Sequence, residues 1–211
     1  MASWHAKTSG GYARNSAEAL DNANMVYAIL RGQGWTLNAI CGVLGNMGAE
    51  SGYNPWRWQG DLIGVSTGSP WRNKGYGLVQ FTPASKYIDD ARAKAFPGYG
   101  PNFSDKVGNV NDGYAQLMFV DGYADYITTS AYPLSYAQFK VSEANPGYLA
   151  KAWLYNYERP GDPGATEAAR EANGNWWYQV LSGEEPPDPP DPPGPYGHLE
   201  IWMYFKLKER R

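Results

Sequence analysis

Glu50 is the side chain of this sequence that is best placed for acid chemistry. Apolar residues before it recur at helical spacing and predict a buried helix: Leu37, Ile40, Cys41, Leu44 and Met47. Gly52 and Pro55 predict the end of that helix. Glu50 therefore falls in the last turn, where the partial negative charge of the helix end disfavours a carboxylate. Because Trp56 and Trp58 follow closely, we expect the protonated acid that glycosidic bond cleavage requires.

Two later stretches have residue types that suit a carbohydrate ligand, Gly75–Pro83 and Tyr155–Pro160. The glycines of the first stretch let a backbone approach a ligand, and the amide of Gln80 can hold a sugar N-acetyl group or a water. In the second stretch, Tyr157 can hydrogen-bond a carboxyl group and stack on a sugar ring. A single glutamate near a helix end is usually a solvated surface residue. The presence of these two stretches nevertheless favours a functional role for Glu50.

Three segments in this order resemble the motifs of the phage tail lysozyme family, within the goose-type lysozyme and lytic transglycosylase-like superfamily. They are Gly45–Ser51, Asn54–Gln59 and Gly77–Pro83, with Phe81 at a position where the family has tryptophan. The resemblance covers about residues 20–181. Each motif alone is weak, but the three at this spacing are specific.

The resemblance implies a mainly α, lysozyme-like helical domain. The glycine- and aromatic-rich residues 53–81, which lack a helical period, predict a small region of loops with a short hairpin around residues 76–81. The resemblance also implies cleavage of the β-1,4 bond between MurNAc and GlcNAc in bacterial peptidoglycan. Glu50 takes the position of the family's catalytic glutamate, and Gln80 and Tyr157 take positions that line the substrate cleft in related enzymes. Because members occur both as tail-borne enzymes and as free lysins, an endolysin and a virion-associated lysin both stay open. Hydrolysis and transglycosylation stay open as well.

Asp61 is the candidate for a second catalytic carboxylate, which two-carboxylate glycosidases place about 5–9.5 Å from the acid. A turn-capping role after Gly60 is the alternative. Many members of the superfamily need one glutamate only, with the substrate's N-acetyl or 6-hydroxyl group as nucleophile. Glu158 and Arg159 are predicted to form a structural ion pair. The further predicted substrate contacts are aromatic or hydroxyl side chains: Trp56, Trp58, Tyr76 and Thr82.

Composition narrows the class of protein. The chain has 211 residues, nine Trp and 17 Tyr but only 18% charged residues, and exposed aromatic faces of this kind suit sugar rings. A net charge of -3 argues against nucleic acid as a partner. With one cysteine, Cys41, and two histidines near opposite ends, we expect no metal site and no cofactor. We see neither a signal peptide nor a membrane-spanning run, so no membrane partner is expected.

The hydrophobic pattern predicts six helices, at about residues 16–31, 37–50, 83–96, 111–128, 145–158 and 165–180. Thr36 is the predicted N-cap of the second helix. Gly42, Gly45 and Gly48 lie roughly on one side of that helix. This spacing would let another backbone approach closely.

Four segments are predicted along the chain: a flexible arm over residues 1–14, a catalytic domain over 15–182, a proline-rich linker over 183–195, and a strand over 196–211. The last segment alternates apolar and polar residues, and it would serve either as a docking strand for a phage tail protein or as a truncated module. The alternative function is a catalytically inactive wall-binding or tail structural module on the same fold.

Overall fold

The computed structural model describes residues 3–183, and this part of the chain is mainly helical. Its α-helices are α1 (Ala17–Gly32), α2 (Leu37–Glu50), α3 (Ser85–Ile88), α4 (Ala91–Ala95), α5 (Asp112–Tyr123), α6 (Tyr136–Lys140), α7 (Pro146–Trp153) and α8 (Glu167–Ser182). Short 3-10 turns occur at Gln59–Asp61 and Pro70–Asn73, and a π turn at Leu154–Glu158 follows α7 directly. The expected mainly α, lysozyme-like class is confirmed.

Helix α2 is the central element of the core. The hydroxyl of Thr36 caps it by accepting from the Ala39 amide, as predicted. Residues 39–47 of α2 are all buried, and its most extensive contacts are with α7 and α8. Glycines make this close packing feasible. A Cβ atom at Gly42 would lie 2.8 Å from the Cβ of Leu149 in α7, and one at Gly45 would lie 2.8 Å from the Arg170 carbonyl oxygen in α8.

The third predicted helix, residues 83–96, is wrong as one element, because α3 and α4 are separate. Asp90 interrupts the helix, and its carboxylate caps α4 by accepting from the Arg92 amide. The sequence Thr82-Pro83 also predicts Thr82 as the N-cap of the predicted helix, but its hydroxyl donates to the carbonyl of Gln80 at 2.9 Å and does not cap α3. The predicted fourth helix ends early, at Tyr123.

The segment between α2 and α3 is held by isolated bridges and by one buried carboxylate. Tyr76 forms antiparallel bridges with Trp58 and Phe81, close to the hairpin predicted for this region. Its hydroxyl donates to Asp112 at the start of α5, and Tyr87 donates to the other oxygen of the same carboxylate. Asp112 is fully buried, so these bonds compensate a charge that has lost its hydration. Burial nevertheless raises the pKa of Asp112.

The N-terminal arm packs on the domain, and the expectation that residues 1–14 form a flexible arm does not hold for residues 3–14. The amide of Tyr12 donates to the Gly52 carbonyl at 2.8 Å, just after α2. The side chain of Asn54 donates to two carbonyls of the arm, at Lys7 and Gly10. Trp4 is only 5% exposed, so the arm adds a large side chain to the core.

The predicted proline-rich linker and terminal strand lie outside the described residues. Among residues 3–183, the helices are too short or too polar to cross a membrane.

Candidate active site

Glu50 is the last residue of α2, as the sequence predicts. The helix cannot continue because Gly52 and Tyr53 both adopt positive φ angles, 55° and 61°. The side chain of Glu50 keeps 21% of its surface exposed, while residues 39–47 of α2 are buried. The carboxyl group is therefore accessible at the end of a rigid element.

Arg170 of α8 is the closest charged partner of Glu50. One guanidinium nitrogen lies 2.5 Å from Glu50 Oε1, and the other donates to the Asn46 carbonyl at 2.7 Å. Arg170 is 5% exposed, and its Nε has no hydrogen-bond partner among the described residues. The short distance between α2 and α8 at Gly45 brings this arginine to the carboxylate. The Glu50 side chain is thus held by a buried positive charge.

Glu158 carries a second carboxyl group, which the sequence analysis assigned to an ion pair with Arg159. It is the last residue of the π turn, it is partly buried, and its Oε1 accepts the indole N–H of Trp153 at 2.9 Å. The predicted ion pair between Glu158 and Arg159 is wrong. Arg159 instead donates to the carboxylate and the carbonyl of Asp125.

Burial and the nearby charge of Glu50 hold the pKa of Glu158 well above its ordinary range. The Trp153 N–H and the guanidinium groups of Arg170 and Arg159 act in the opposite direction, but with less effect. In residues 3–183, no lysine, arginine or histidine forms an ion pair with Glu158. The side chain of Glu50 is therefore paired with arginine, whereas the raised pKa of Glu158 favours the neutral form of its carboxyl group.

Tyr157 lies next to Glu158 and stacks on Trp153, with ring centroids 4.3 Å apart. The tyrosine is partly exposed. Burial, followed by the charge of Glu158, raises the pKa of Tyr157 well above its ordinary value. The phenol therefore stays protonated and available as a hydrogen-bond donor at neutral pH.

Gln80 fixes the loop in which it lies. Its φ angle is 47°, and its Nε2 donates to the carbonyls of Arg57 and Gly77 at 3.1 and 2.9 Å. Gly77 has a φ angle of 82°, and a Cβ atom there would lie 2.4 Å from Oε1 of Gln116. The glycines of this motif therefore serve the loop's own packing.

Asp61 is engaged by two groups of the protein. It forms an ion pair with Arg57 at 3.0 Å and accepts the Gly10 amide at 2.8 Å, so it ties the N-terminal arm to the loop after α2. The Gly10 amide first, and then Arg57, lower the pKa of Asp61. These contacts favour the alternative stated above, a structural role in the turn after Gly60, over a catalytic role for Asp61.

Of the four remaining residues predicted to contact substrate, two are buried and two are accessible to solvent. Tyr76 and Trp58 are 0% and 2% exposed, so the expectation that they touch substrate is wrong for this conformation. Both have structural partners: the Tyr76 hydroxyl donates to Asp112, and the Trp58 indole donates to the Asn102 carbonyl. Trp56 is partly exposed and Thr82 is exposed. Trp56 also borders an apolar cavity of about 230 Å³ that Glu50 does not line.

Sequence reasoning missed Arg170 and assigned Glu158 to the wrong partner. Arg170 lies 120 positions from Glu50, and nothing in its local pattern distinguishes it from a surface arginine. For Glu158, the available signal was its place directly after Tyr157, a residue already assigned to the cleft. Among residues 3–183, no cluster of three His, Cys, Asp or Glu side chains could hold a metal ion.

The fold and the site together define a helical lysozyme-like domain with a glutamate at the end of its central helix. The sequence pattern of the phage tail lysozyme family matches residues 21–181, so the chain belongs to this family, and the expected membership is confirmed. Membership supports a lysozyme-like activity in general, as a glycosidase or transglycosylase, with peptidoglycan as substrate and a phage-associated setting.

One curated relative is "Morphogenesis protein 1" of Bacillus phage B103, which is 33% identical over 168 residues. The alignment covers 77% of this chain and 40% of the relative. The chain therefore spans about two fifths of that protein's length.

Proposed function

We propose that the chain cleaves the β-1,4 bond between MurNAc and GlcNAc of bacterial peptidoglycan, with Glu50 as general acid. The observation that carries this proposal is the partly exposed Glu50 at the end of α2, held by the buried Arg170, within a lysozyme-family domain. Gln80, Tyr157, Trp56 and Thr82 are the substrate contacts we propose.

In the proposed step, protonated Glu50 donates its proton to the glycosidic oxygen while the bond from the anomeric carbon to that oxygen breaks. The bonding electron pair stays on the oxygen, which leaves as a hydroxyl group. Arg170 then stabilises the carboxylate that remains on Glu50. A water molecule, or the 6-hydroxyl group of the muramic acid, then attacks the anomeric carbon and gives its proton to the Glu50 carboxylate, which regenerates the acid.

The first experiment is mass spectrometry of sacculi digested by the wild type and by Glu50→Gln. We expect at least a 100-fold loss of product release in the variant, the usual contribution of a general acid. Reducing MurNAc ends in the wild-type digest would indicate a muramidase, and anhydro-MurNAc ends a transglycosylase.

Because Arg170 loses its counterion in Glu50→Gln, the comparison needs a temperature at which both proteins are folded by circular dichroism. Full activity of a folded Glu50→Gln would rule out Glu50 as the acid.

A second candidate is a tail structural module without catalysis. The name of the relative, "Morphogenesis protein 1", favours this candidate. It predicts that sacculi retain the wild-type protein but yield no new sugar ends. The virion-associated and lysis-released settings are separated by immunoblotting purified phage particles.

A further inference from the structure

Gln116 of α5 is a fully buried polar side chain that the proposed step does not use. Its Oε1 accepts the backbone N–H of Leu78 at 2.7 Å. Its Nε2 donates to the Pro55 carbonyl and to Oδ2 of Asp112, both at 2.7 Å. Both amide protons and the oxygen are therefore engaged, and only one orientation of the amide satisfies all three partners. A buried polar network of this kind holds its members in fixed positions.

The backbone partners of Gln116 belong to two segments that carry proposed sugar contacts. Pro55 directly precedes Trp56 in the segment after α2. Leu78 lies two residues before Gln80, in the glycine-containing loop between α2 and α3. One side chain of α5 is thus bonded to the backbone next to both contacts.

The two segments, residues 54–59 and 75–81, are also bonded to each other, and together we call them the loop pair. The amide of Gly77 in one segment donates to the Arg57 carbonyl of the other at 2.9 Å. This bond joins the segments, whereas the bonds of Gln116 attach them to a helix. A Cβ atom at Gly77 would lie 2.4 Å from Gln116 Oε1, so the glycine allows the loop to approach the amide.

Asp112, one helical turn before Gln116, determines how the amide is oriented. Its carboxylate also accepts from the hydroxyls of Tyr76 and Tyr87 and from the Gly100 amide. A carboxylate can only accept, so the nitrogen of Gln116 must face it. The oxygen of the amide is thereby left to face the loop pair.

We propose that Gln116 is a positioning residue for substrate binding: it fixes the loop pair on α5, so that Gln80 and Trp56 meet the sugar at set positions. This inference rests on the proposed function, in which these two residues contact the aminosugar and Glu50 is the acid. Gln116 itself is fully buried and does not touch the sugar. Its bond to Pro55 holds the chain five residues after Glu50, where the loop pair begins.

The expected consequence for turnover is a change in KM. Without the bonds of Gln116, the loop pair occupies other positions as well, and only a fraction of the molecules can bind the sugar. The apparent affinity falls in proportion to that fraction. The complex has the same contacts once it has formed, so kcat is retained.

The test compares the steady-state kinetics of the wild type and Gln116→Met on a soluble peptidoglycan tetrasaccharide. Methionine has a similar size but makes none of the three bonds. We expect KM to rise about fivefold or more while kcat stays within about twofold, at a temperature where both proteins are folded. A purely structural role would instead reduce the amount of active protein, which lowers the apparent kcat and leaves KM unchanged.

Tyr136→Phe is the matched control, because it also removes a hydrogen bond to α5. The hydroxyl of Tyr136 donates to the Val120 carbonyl at 2.6 Å, near the other end of that helix. We expect this variant to lose thermal stability but to keep the KM of the wild type. A rise in KM as large as that of Gln116→Met would overturn the inference.

A double-mutant cycle with Gln80→Ala tests whether Gln116 acts through the loop pair. If it does, the rise in KM of the double variant is smaller than the product of the two single effects, because the contact being positioned is already gone. A rise equal to that product would contradict the inference. An unchanged KM in Gln80→Ala alone would remove the contact on which the inference rests.

Hydrogen exchange keeps the test valid if Gln116→Met fails to fold. In the Glu50→Gln protein, saturation with the same tetrasaccharide should slow exchange of the Leu78 amide about tenfold more than that of the Phe139 amide in α6. Equal slowing of the two amides, or none, would overturn the inference. An active Glu50→Gln removes the proposed function itself, whereas an inactive one with an unchanged KM in folded Gln116→Met removes only the role of Gln116.

Discussion

Asp61 shows how a carboxylate near a candidate acid can be committed to structure. Its side chain is 45% exposed, yet both of its oxygens accept from Arg57 and one also accepts from Gly10. Its φ angle of 54° lies in the left-handed region that turn aspartates tolerate. These contacts place it as the link between the arm and the loop after α2.

We therefore predict that Asp61→Asn keeps wall-degrading activity within a few fold of the wild type. Because the Gly10 amide and Arg57 lower the pKa of Asp61 from its ordinary value of 3.8, its contribution to folding is present above that pH. The contribution is lost as pH falls through the lower, folded-state pKa. We expect a loss of less than about 1 kcal/mol at pH 7, since the pair is exposed, and a smaller loss near pH 3.

Urea unfolding at the two pH values and a sacculus assay at pH 7 test this prediction. Asp105→Asn, which alters an exposed carboxylate on the neighbouring loop, is the control. If Asp61→Asn loses activity as completely as Glu50→Gln, Asp61 becomes the second catalytic carboxylate.

The side chains of the site differ in how far the sequence reveals them. Glu50 was predictable because a helix, its stop signal and its motif are all local. Arg170 was not predictable, because its partner lies 120 positions away and the pairing depends on how two helices dock. Glu158 was assigned to Arg159 on proximity in the chain, but the left-handed turn at Arg159 directs the guanidinium to Asp125 instead.

At the level of elements, α2 and α8 determine the geometry of the site by packing through glycine. A Cβ atom at Gly45 would lie 2.8 Å from the Arg170 carbonyl oxygen and 2.9 Å from the Gly174 amide nitrogen. Both obstacles are backbone atoms, which cannot rotate away. The position of Arg170 relative to Glu50 therefore depends on the absence of a side chain at Gly45.

Gly45→Ala should destabilise the protein by about 1–3 kcal/mol, because overpacking outweighs the gain of about 1 kcal/mol in helix propensity. It should also reduce activity under conditions where the variant is folded, since separating the helices moves Arg170 from Glu50. Gly122→Ala in α5 is the matched control, as a Cβ atom there meets nothing within 4 Å. That control should be neutral or stabilising by up to about 1 kcal/mol, and thermal unfolding measures both. Equal stability of the two variants would contradict the packing argument.

The elements themselves were predictable where the signals were strong. Ser16 and Thr36 cap α1 and α2 as their sequence positions indicate. Helix α6 was missed because five residues carry too little periodicity, although Ser135 and Gln138 form a capping box that marks its start. The division between α3 and α4 follows from a capping aspartate inside an apolar pattern, where local hydrogen bonding overrides periodicity.

For the molecule as a whole, the N-terminal arm connects parts of the chain that the helices leave apart. Tyr12 is hydrogen-bonded to Gly52, two residues after Glu50, while Trp4 packs at the start of α5. Asn22 of α1 connects the arm to the segment after α2, since its side-chain amide donates to the carbonyls of His5 and Tyr53. The arm therefore stabilises the end of α2 from outside the helical core. An irregular, polar sequence gives no sign of this role, because the bonds are to distant backbone groups.

We expect Trp4→Ala to destabilise the protein by about 3–5 kcal/mol, as large-to-small changes at buried tryptophans do, although Trp4 lies in no helix. The reason is that its ring fills the space above Gly113, where a Cβ atom would lie 2.7 Å from the indole. Trp71→Ala is the matched control, because that tryptophan is 48% exposed and its loss should change stability by no more than about 0.5 kcal/mol. Denaturant unfolding of both variants gives the comparison. If the two tryptophans prove equivalent, the arm is a loose appendage, and the end of α2 is held by the helices alone.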